Sequence, residues 1–252
     1  MASQDHHQSL EGRVVLVTGA ARRIGAALAR GVHGRGANIV IHFGGSREAA
    51  GSLAAELDAI RPGSVTTVQA DLLDATAPDT IVDKAVGTFG ALDVLINNAS
   101  TFYPTPIGSI EEGAWSDLIG TNLKAPLFLA QTAAPYLRQR KGSILNLIDI
   151  HARHPLPDHP VYSAAKAGLA ALTLALAGDL GPEVRVNGIA PGAILWPEGD
   201  QDPQAQQTIL DQTYLGRTGQ PQDIVDCALY LLSAGYVTGQ IVAVDGGRSI
   251  GW

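Results

Sequence analysis

Residues 14–25 read VVLVTGAARRIG, a continuous apolar run that enters a glycine turn and then a helical pattern. An uninterrupted run of Val and Leu is typical of a parallel strand covered on both faces. A glycine turn at a helix N-terminus presents free backbone N–H groups and the positive end of the helix dipole to a phosphate. The stretch therefore predicts a strand-turn-helix unit that binds a dinucleotide, at the start of an α/β domain.

The rest of the chain repeats the alternation of short apolar runs and longer helical patterns. Strands are predicted at Val14–Thr18, Asn38–His42, Val65–Gln69, Val94–Asn97, Ser143–Ile148, Arg185–Ile189 and Ile241–Val244. Helices are predicted at Ile24–Arg35, Glu48–Ile60, Thr80–Phe89, Glu111–Arg140, Pro160–Leu180 and Pro221–Leu232. This order predicts a Rossmann-type, doubly wound parallel sheet with helices on both faces. We expect a single domain over residues 10–252, a disordered tail over 1–9, and two loops, 150–159 and 191–207, beside the ligand.

Composition excludes several classes of partner. The 252 residues carry a net charge of −7, so no basic surface for nucleic acid or for an anionic membrane is expected. We also expect no membrane-spanning segment and no apolar leader. Cys227 is the only cysteine, which excludes an internal disulfide and fits a reducing, cytoplasmic location. His151, His154 and His159 share one irregular loop without a nearby cysteine, so no metal site is expected.

The end of the second apolar run predicts which dinucleotide binds. An NAD enzyme places an acid there for the ribose 2′-hydroxyl, whereas this chain reads IHFGGSR over residues 41–47. Ser46, Arg47 and Arg22 are suited to a 2′-phosphate, which favours NADPH; the alternative is that Arg47 is only a solvated residue of a first helical turn. The predicted cofactor-binding residues are Gly19, Arg22, Arg23, Ile24, Ser46, Asp71, Leu72, Asn98, Ala99, Ser100, Tyr162, Lys166, Pro191 and Gly192.

Tyr162 and Lys166 lie four residues apart, which places both side chains on one face of a helix. An adjacent ammonium favours phenolate, so we expect a lowered tyrosine pKa and a phenol that donates a proton near neutrality. Asp149 ends an upstream apolar run and supplies a second acid. The alternative is that Asp149 only caps its loop or binds Arg153.

These motifs together resemble the short-chain dehydrogenase/reductase family. The resemblance spans Gly12 to Gly251 and is carried by Thr18-Gly19, Asn97-Asn98-Ala99, Asn122, Tyr162 with Lys166, Pro191-Gly192 and Val244-Asp245-Gly246-Gly247. It implies a proton donor at Tyr162, a ribose-binding lysine at Lys166 and an asparagine, Asn122, that holds a relay water. Asp149 stands where most members of the family have a serine.

Within that family the chain looks most like the pteridine reductases. They share the arginine at Arg23, the Asn-Asn-Ala-Ser segment that leads to Tyr-Pro-Thr-Pro, and the aspartate at Asp149. The resemblance implies that a pterin stacks between nicotinamide and Phe102. The chain departs from them at Gly44 and Gly45, where they carry basic residues.

We therefore expect NADPH-dependent reduction of a reduced pterin such as dihydrobiopterin, dihydromonapterin or dihydrofolate. A pterin imine needs a proton on nitrogen as hydride arrives, which Asp149 and Tyr162 together supply. The predicted catalytic residues are Asp149, Tyr162, Lys166 and Asn122, and the predicted substrate-binding residues are Arg23, Ser100, Phe102, Asp149 and Tyr162. The alternatives are a carbonyl or alcohol oxidoreductase of the same fold, and a cofactor-binding protein without catalysis. Family resemblance also implies a homotetramer, paired through the helices that follow Glu111 and Pro160.

Overall fold

The computed structural model describes residues 9–196 and 202–251. Seven parallel strands form one sheet in the order β3-β2-β1-β4-β5-β6-β7. Their bounds are β1 Val14–Val17, β2 Asn38–Phe43, β3 Val65–Gln69, β4 Val94–Asn97, β5 Ser143–Leu147, β6 Arg185–Pro191 and β7 Ile241–Val244. β1 pairs with β2 on one side and with β4 on the other. The chain thus reverses its winding between β1 and β4, and the two loops that leave these strands diverge there to form a crevice.

Eight α-helices connect the strands within the described residues. They are α1 Arg23–His33, α2 Arg47–Ile60, α3 Ala77–Phe89, α4 Glu112–Ile119, α5 Ala125–Arg140, α6 Pro160–Leu180, α7 Pro203–Asp211 and α8 Pro221–Ser233. Short 3₁₀ helices follow at Ile150–Ala152 and Arg248–Ile250. The doubly wound fold predicted from the sequence is confirmed. Of the predicted tail, only Ser9 lies within the described residues.

Two hydrophobic cores, one on each face of the sheet, explain the unbroken apolar runs. Val15 and Val17 pack in the core that includes α1, α2 and α8. Val14 and Leu16, which alternate with them along β1, pack in the opposite core with α3 and α5. Successive side chains of a strand point to opposite faces, so a strand covered on both sides is apolar throughout.

The predicted long helix over Glu111–Arg140 is confirmed as a helical stretch, which runs from Glu112 to Arg140 and is interrupted by one π turn. A single π turn at Gly120–Lys124 separates α4 from α5 and contains the predicted catalytic residue Asn122. Such turns are inserted into helices most often at functional sites, and their hydrogen-bond shift leaves no mark in apolar spacing. Of the loop predicted over 191–207, residues 197–201 lie outside the described residues, and α7 already begins at Pro203, where Asp202 caps it by accepting from the Gln204 backbone N–H.

The expectation of no segment apolar enough to span a membrane is corrected at α6. Among the described residues, this helix alone has the length and composition of a span, with a mean hydropathy of 1.4. Such a composition is also that of a core helix, and one side of α6 packs against β6 and contributes Tyr162 and Lys166 to the crevice. Its small residues and exposed Leu174 account for the remainder of its apolar character.

Candidate active site

A cleft of about 740 Å³ opens at the carboxyl ends of β1, β2, β3 and β4. Its volume lies in the range of small-molecule sites, roughly 300–1,000 Å³. Most of the predicted cofactor-binding residues line it, namely Gly19, Arg22, Arg23, Ile24, Asp71, Leu72, Asn98, Ala99 and Ser100. The loops of four neighbouring strands thus bring together residues that are far apart in sequence.

The glycine turn leaves space that only glycine permits. Gly19 has a φ of +60°, and a Cβ there would lie 2.9 Å from the Ala99 Cα. A Cβ on Gly25 would lie 2.3 Å from the Gly19 carbonyl oxygen. Because α1 begins at Arg23, the free N–H groups of its first turn face the cleft. This cradle and the cleft beyond it fit an extended dinucleotide whose pyrophosphate lies at the start of α1.

Asn98 fastens the turn to β4. Its Nδ2 donates to the backbone oxygens of Thr18 at 2.8 Å and Gly19 at 3.1 Å. The Thr18 hydroxyl in turn accepts from the backbone N–H groups of Asn98 and Ala99, both at 3.0 Å. The pairing of Thr18-Gly19 with Asn98-Ala99 is therefore a direct contact across two neighbouring strands, which holds the turn in one shape.

The rim at the end of β2 contains the predicted 2′-phosphate residues. Arg47 donates to the Gln69 side chain, whose Nε2 donates to the Gly44 backbone oxygen at 2.8 Å. Gly44, Gly45 and Gln69 line the cleft, whereas Ser46 and Arg47, at the start of α2, are not among the described residues that line it. Arg47 is thus held beside the cleft by a neutral partner, which leaves its charge available to an anion.

A second cavity of about 240 Å³ continues from the cleft to the predicted catalytic residues. Asp149, Tyr162 and Lys166 line it together with Pro191 and Gly192. The Tyr162 hydroxyl donates to Asp149 Oδ2 at 2.7 Å. Asp149 Oδ1 accepts from the His151 backbone N–H at 2.8 Å, which caps the 3₁₀ helix. The carboxylate therefore does both things considered from the sequence: one oxygen caps the loop and the other contacts the tyrosine.

The structure corrects the expectation that Lys166 lowers the pKa of Tyr162. Burial of the phenol, which is 4% exposed, and the adjacent Asp149 carboxylate raise the pKa of Tyr162 well above its ordinary value. A nearby anion and a low dielectric both oppose formation of phenolate. The phenol is therefore held as a proton donor by Asp149, rather than poised for ionisation by Lys166.

Lys166 lies one turn along α6 from Tyr162, as its spacing predicts, with Nζ 5.7 Å from the ring centroid. Nζ donates to the Leu147 backbone oxygen at 2.9 Å at the end of β5. Burial lowers the pKa of Lys166 to about 8, an effect that the Asp149 charge partly opposes. Lys166 is thus a fixed buried cation within the cavity at neutral pH.

A pH profile should report on this lysine. Below pH 8 the Lys166 ammonium stabilises negative charge that develops on the Tyr162 oxygen, and above it that charge is lost as the pKa of about 8 is passed. We expect kcat/KM for reduction to fall as pH rises from about 8, roughly tenfold per unit. The raised pKa of Tyr162 excludes the phenol as the source of this limb. A profile that stays flat to about pH 9.5 would contradict the assignment.

Asn122 is buried, and its side chain is fully bonded. Nδ2 donates to the Leu118 and Thr101 backbone oxygens at 2.9 and 3.0 Å, and Oδ1 accepts from the Ser100 hydroxyl at 2.6 Å. The side chain thus ties the π turn to the loop after β4 and positions Ser100. The role of Asn122 in holding a relay water stays a prediction. Because its side chain is fully bonded, the backbone of this residue would have to hold that water.

Phe102 contacts Tyr162, which lines the inner cavity, but is not itself among the described residues that line either cavity, and 47% of it is exposed. One face stacks on the His159 ring, with centroids 4.8 Å apart and an angle of 12°. Its ring also meets Tyr162 edge-on at 4.8 Å. His159 covers one face of the Phe102 ring, and about half of the residue remains exposed. A flat ligand has a stacking surface there, next to the phenol.

Arg23 lines both the cleft and the inner cavity, but its guanidinium binds the protein itself. Its guanidinium donates to the Trp196 oxygen at 3.1 and 3.2 Å and to the Leu195 oxygen at 3.1 Å, across the cavity from the glycine turn. Arg23 also has a φ of +52°, in the left-handed region that favours glycine. Glycine would adopt this φ without strain. The presence of arginine instead indicates that its side chain has a role at this position. The donors predicted to meet a phosphate or pterin thus anchor the loop after β6.

Arg23→Gly should separate the effect of the left-handed backbone from the effect of the guanidinium contacts. Glycine removes the backbone strain of the folded state but raises the conformational entropy of the unfolded chain. These effects oppose each other, so Tm should stay within about 4 °C of the wild type. Loss of the forked contact should raise KM for the organic substrate by about tenfold. Arg23→Lys keeps the charge without the fork; if it matches the wild type, charge alone suffices and the anchoring role is wrong.

His42 is a residue of the cleft that no sequence motif predicted. It lines the cleft, and its imidazole contacts the backbone of Gly19. The available signal was a histidine within an otherwise apolar strand, since a buried imidazole must find partners. Among residues 9–196 and 202–251, no group of three or more His, Cys, Asp or Glu side chains is placed to hold a metal ion.

The sequence of this chain is similar to those of known oxidoreductases. Residues 19–249 match a family model described as enoyl-(acyl carrier protein) reductase. Pteridine reductase 1 of Leishmania tarentolae is 36% identical, with 94% of this chain and 96% of the relative covered. A 3-oxoacyl-(acyl-carrier-protein) reductase of Thermotoga maritima is also 36% identical, with 96% and 99% covered. A 3beta-hydroxysteroid dehydrogenase 1 of Eggerthella lenta is 34% identical, with 97% and 96% covered.

Proposed function

We propose, from the premise that this chain belongs to the short-chain dehydrogenase/reductase family of oxidoreductases, that it reduces a reduced pterin with NADPH. Relatives with pterin and with ketoacyl names are equally similar to it. Overall identity therefore does not distinguish these substrates. The proposal rests instead on the side chains that line the inner cavity.

One observation carries the proposal: the Tyr162 hydroxyl donates to Asp149 Oδ2 at 2.7 Å beside the inner cavity. A ketone needs a single proton on its oxygen, for which tyrosine and a neutral serine suffice. An imine nitrogen is more basic and accepts a proton from a carboxyl group or from a carboxyl-phenol pair. Asp149 with Tyr162 forms such a pair, and the Phe102 ring 4.8 Å from Tyr162 supplies a stacking surface for a flat heterocycle.

The cofactor would lie in the larger cleft, with its pyrophosphate on the Gly19 turn and its 2′-phosphate toward Arg47 and Arg22. When bound, a reduced nicotinamide supplies hydride to the substrate. Lys166 is suited to hold the ribose hydroxyls beside Tyr162, since its Nζ lies buried in the inner cavity. Asp149 and Tyr162 then deliver the proton to the ring nitrogen, directly or through water. Arg23 would close the cavity through the Leu195 and Trp196 carbonyls.

The direct test measures NADPH oxidation with dihydrobiopterin, dihydromonapterin and dihydrofolate, beside a ketoacyl thioester and a cyclic ketone. We expect kcat/KM for at least one pterin to exceed that for both ketones by tenfold or more. Turnover of a ketone without turnover of any pterin would overturn the pterin assignment and leave the oxidoreductase assignment intact.

Ketone reduction is the second candidate function, and one observation favours it. The 3-oxoacyl and hydroxysteroid relatives cover as much of the chain as the pteridine reductase does. Tyr162 and Lys166 alone suffice for a carbonyl substrate. The Asp149 variants considered in the Discussion separate the two candidates.

Replacement of Arg47 tests the preference for NADPH. Because Arg47 is the cation held beside Gly44 and Gly45, Arg47→Ala should weaken NADPH binding by about tenfold and leave NADH binding unchanged within about twofold. Isothermal titration with both cofactors measures this. Arg35→Ala, a basic residue of a groove away from the cleft, is the matched control. Equal weakening of both cofactors would show that Arg47 supports the loop rather than selecting the phosphate.

We also propose assembly into a homotetramer through α5 and α6. Leu127 and Phe128 on α5 and Leu174 on α6 are large apolar side chains that are exposed in the single chain. Sedimentation equilibrium tests the stoichiometry. A monomer at micromolar concentration would exclude this assembly.

A further inference from the structure

His42 occupies a place where an apolar side chain would be expected. It lies near the carboxyl end of β2, between Ile41 and Phe43, and is 2% exposed. Both of those neighbours pack into the core. A polar ring buried in a parallel strand destabilises the fold unless its nitrogens are bonded. Its retention therefore requires an explanation from its partners.

Both ring nitrogens have backbone partners, and these fix the tautomer. The Gly19 N–H donates to Nδ1 at 3.2 Å, so Nδ1 has no hydrogen. Nε2 lies 3.1 Å from the Ala70 carbonyl oxygen, which only accepts, so Nε2 has the hydrogen. Burial lowers the pKa of His42 to about 4, which keeps the ring neutral at physiological pH. An imidazolium would lose the bond from Gly19.

The two partners belong to two different walls of the cleft. Gly19 begins the turn that faces the pyrophosphate position, and Ala70 precedes Asp71 and Leu72 on the wall after β3. The backbone of β2 reinforces the link, because Ala20 N–H donates to the His42 oxygen at 2.9 Å. Asn98 holds the same turn from the β4 side. The turn is thus fastened from both neighbouring strands.

We propose that His42 is a positioning residue of the cofactor site, which uses a neutral imidazole to hold the glycine turn and the wall after β3 at a fixed separation. It touches neither substrate nor the reacting atoms, so it acts on cofactor affinity rather than on the chemical step. The inference rests on the proposed nicotinamide cofactor and is independent of the pterin assignment.

Three variants of His42 separate its two bonds. His42→Leu removes both, His42→Asn keeps an acceptor near Nδ1 for the Gly19 N–H, and His42→Gln keeps a donor near Nε2 for the Ala70 oxygen. The matched control is His33→Leu. His33 is 3% exposed and bonds the Ser64 hydroxyl at 2.8 Å, but it lies on α1 away from the cleft.

The measurement is the Kd of NADPH and NADH by isothermal titration, with thermal unfolding of each variant without cofactor and kcat at saturating cofactor. We expect His42→Leu to raise the Kd by about tenfold for the cofactor bound by the wild type, with kcat within about twofold. His42→Asn should recover most of this affinity and His42→Gln less. His33→Leu should lower the unfolding temperature and leave Kd unchanged.

The outcomes distinguish this inference from the function it rests on. If the wild type binds neither cofactor, the proposed function fails with it. If the wild type binds and His42→Leu binds equally well, only the role of His42 is overturned. An equal rise in Kd for His33→Leu would show general destabilisation and would also overturn it. Should His42→Leu fail to fold, the Asn and Gln variants decide: equal affinities for these two would contradict a specific bond to Gly19.

Discussion

Tyr162→Phe is expected to lower kcat for reduction by about a thousandfold. The change removes one oxygen from a buried ring and thereby the proton that the Tyr162 hydroxyl directs at Asp149. The ring contacts with Phe102 remain, so binding of a flat ligand should change little. Stopped-flow measurement of NADPH oxidation under single-turnover conditions isolates the chemical step.

The control for Tyr162→Phe is the Kd of NADPH, which should stay within about threefold of the wild type, since the phenol oxygen is one contact among many. An unchanged reduction rate would remove Tyr162 from the chemistry. It would also favour the third alternative, a cofactor-binding protein without catalysis at this site.

Asp149→Ser is expected to lower kcat/KM for a pterin by at least about a hundredfold and to leave or improve ketone reduction. Serine retains an oxygen that can cap the 3₁₀ helix, which Asp149 caps through the His151 N–H. It removes the carboxyl partner with which Tyr162 shares the proton that an imine nitrogen requires. It also removes the negative charge that raises the pKa of Tyr162, so the phenol becomes a better donor to a developing alkoxide.

Asp149→Asn is the matched control, because it keeps the size of the side chain and one of its two acceptor positions while losing the ability to pass on a proton. A loss of pterin reduction in both variants assigns the effect to the acid. A loss in Asp149→Ser alone assigns it to the shape of the side chain. Pterin reduction that survives both changes would leave the fold and the cofactor site standing and would exclude the pterin mechanism proposed here.

Local sequence predicted the parts of the site that depend on short-range geometry. Tyr162 and Lys166 share a helical face at any position in a fold, because that relation follows from 3.6 residues per turn. The bounds of β3, β4 and β7 agree with the prediction because their apolar runs end at polar or turn residues. Helix α6 begins at Pro160, as predicted, since proline is favoured in a first turn.

The hydrogen-bond partners and charge states of the site residues could not be predicted from local sequence in this way. The pKa of Tyr162 was assigned the wrong direction because proximity in sequence made Lys166 the obvious neighbour. In the folded chain, Lys166 Nζ is bound to the Leu147 carbonyl and the phenol to Asp149, thirteen residues upstream. The hydrogen-bond partners of Arg23 are likewise distant in sequence, at 172 and 173 residues, although Arg23 lines the predicted cleft.

The sequence by itself determined the doubly wound sheet, the glycine turn and the set of residues at the carboxyl edge. Those features follow from hydrophobic periodicity, glycine sterics and helix spacing, all of which act over a few residues. The tertiary structure alone decided that the Asp149 carboxylate meets the Tyr162 phenol, that a π turn holds Asn122, and that His42 joins two walls of the cleft. Each of these depends on which strands are neighbours and on how deeply a polar group is buried, and neither quantity is expressed in local sequence.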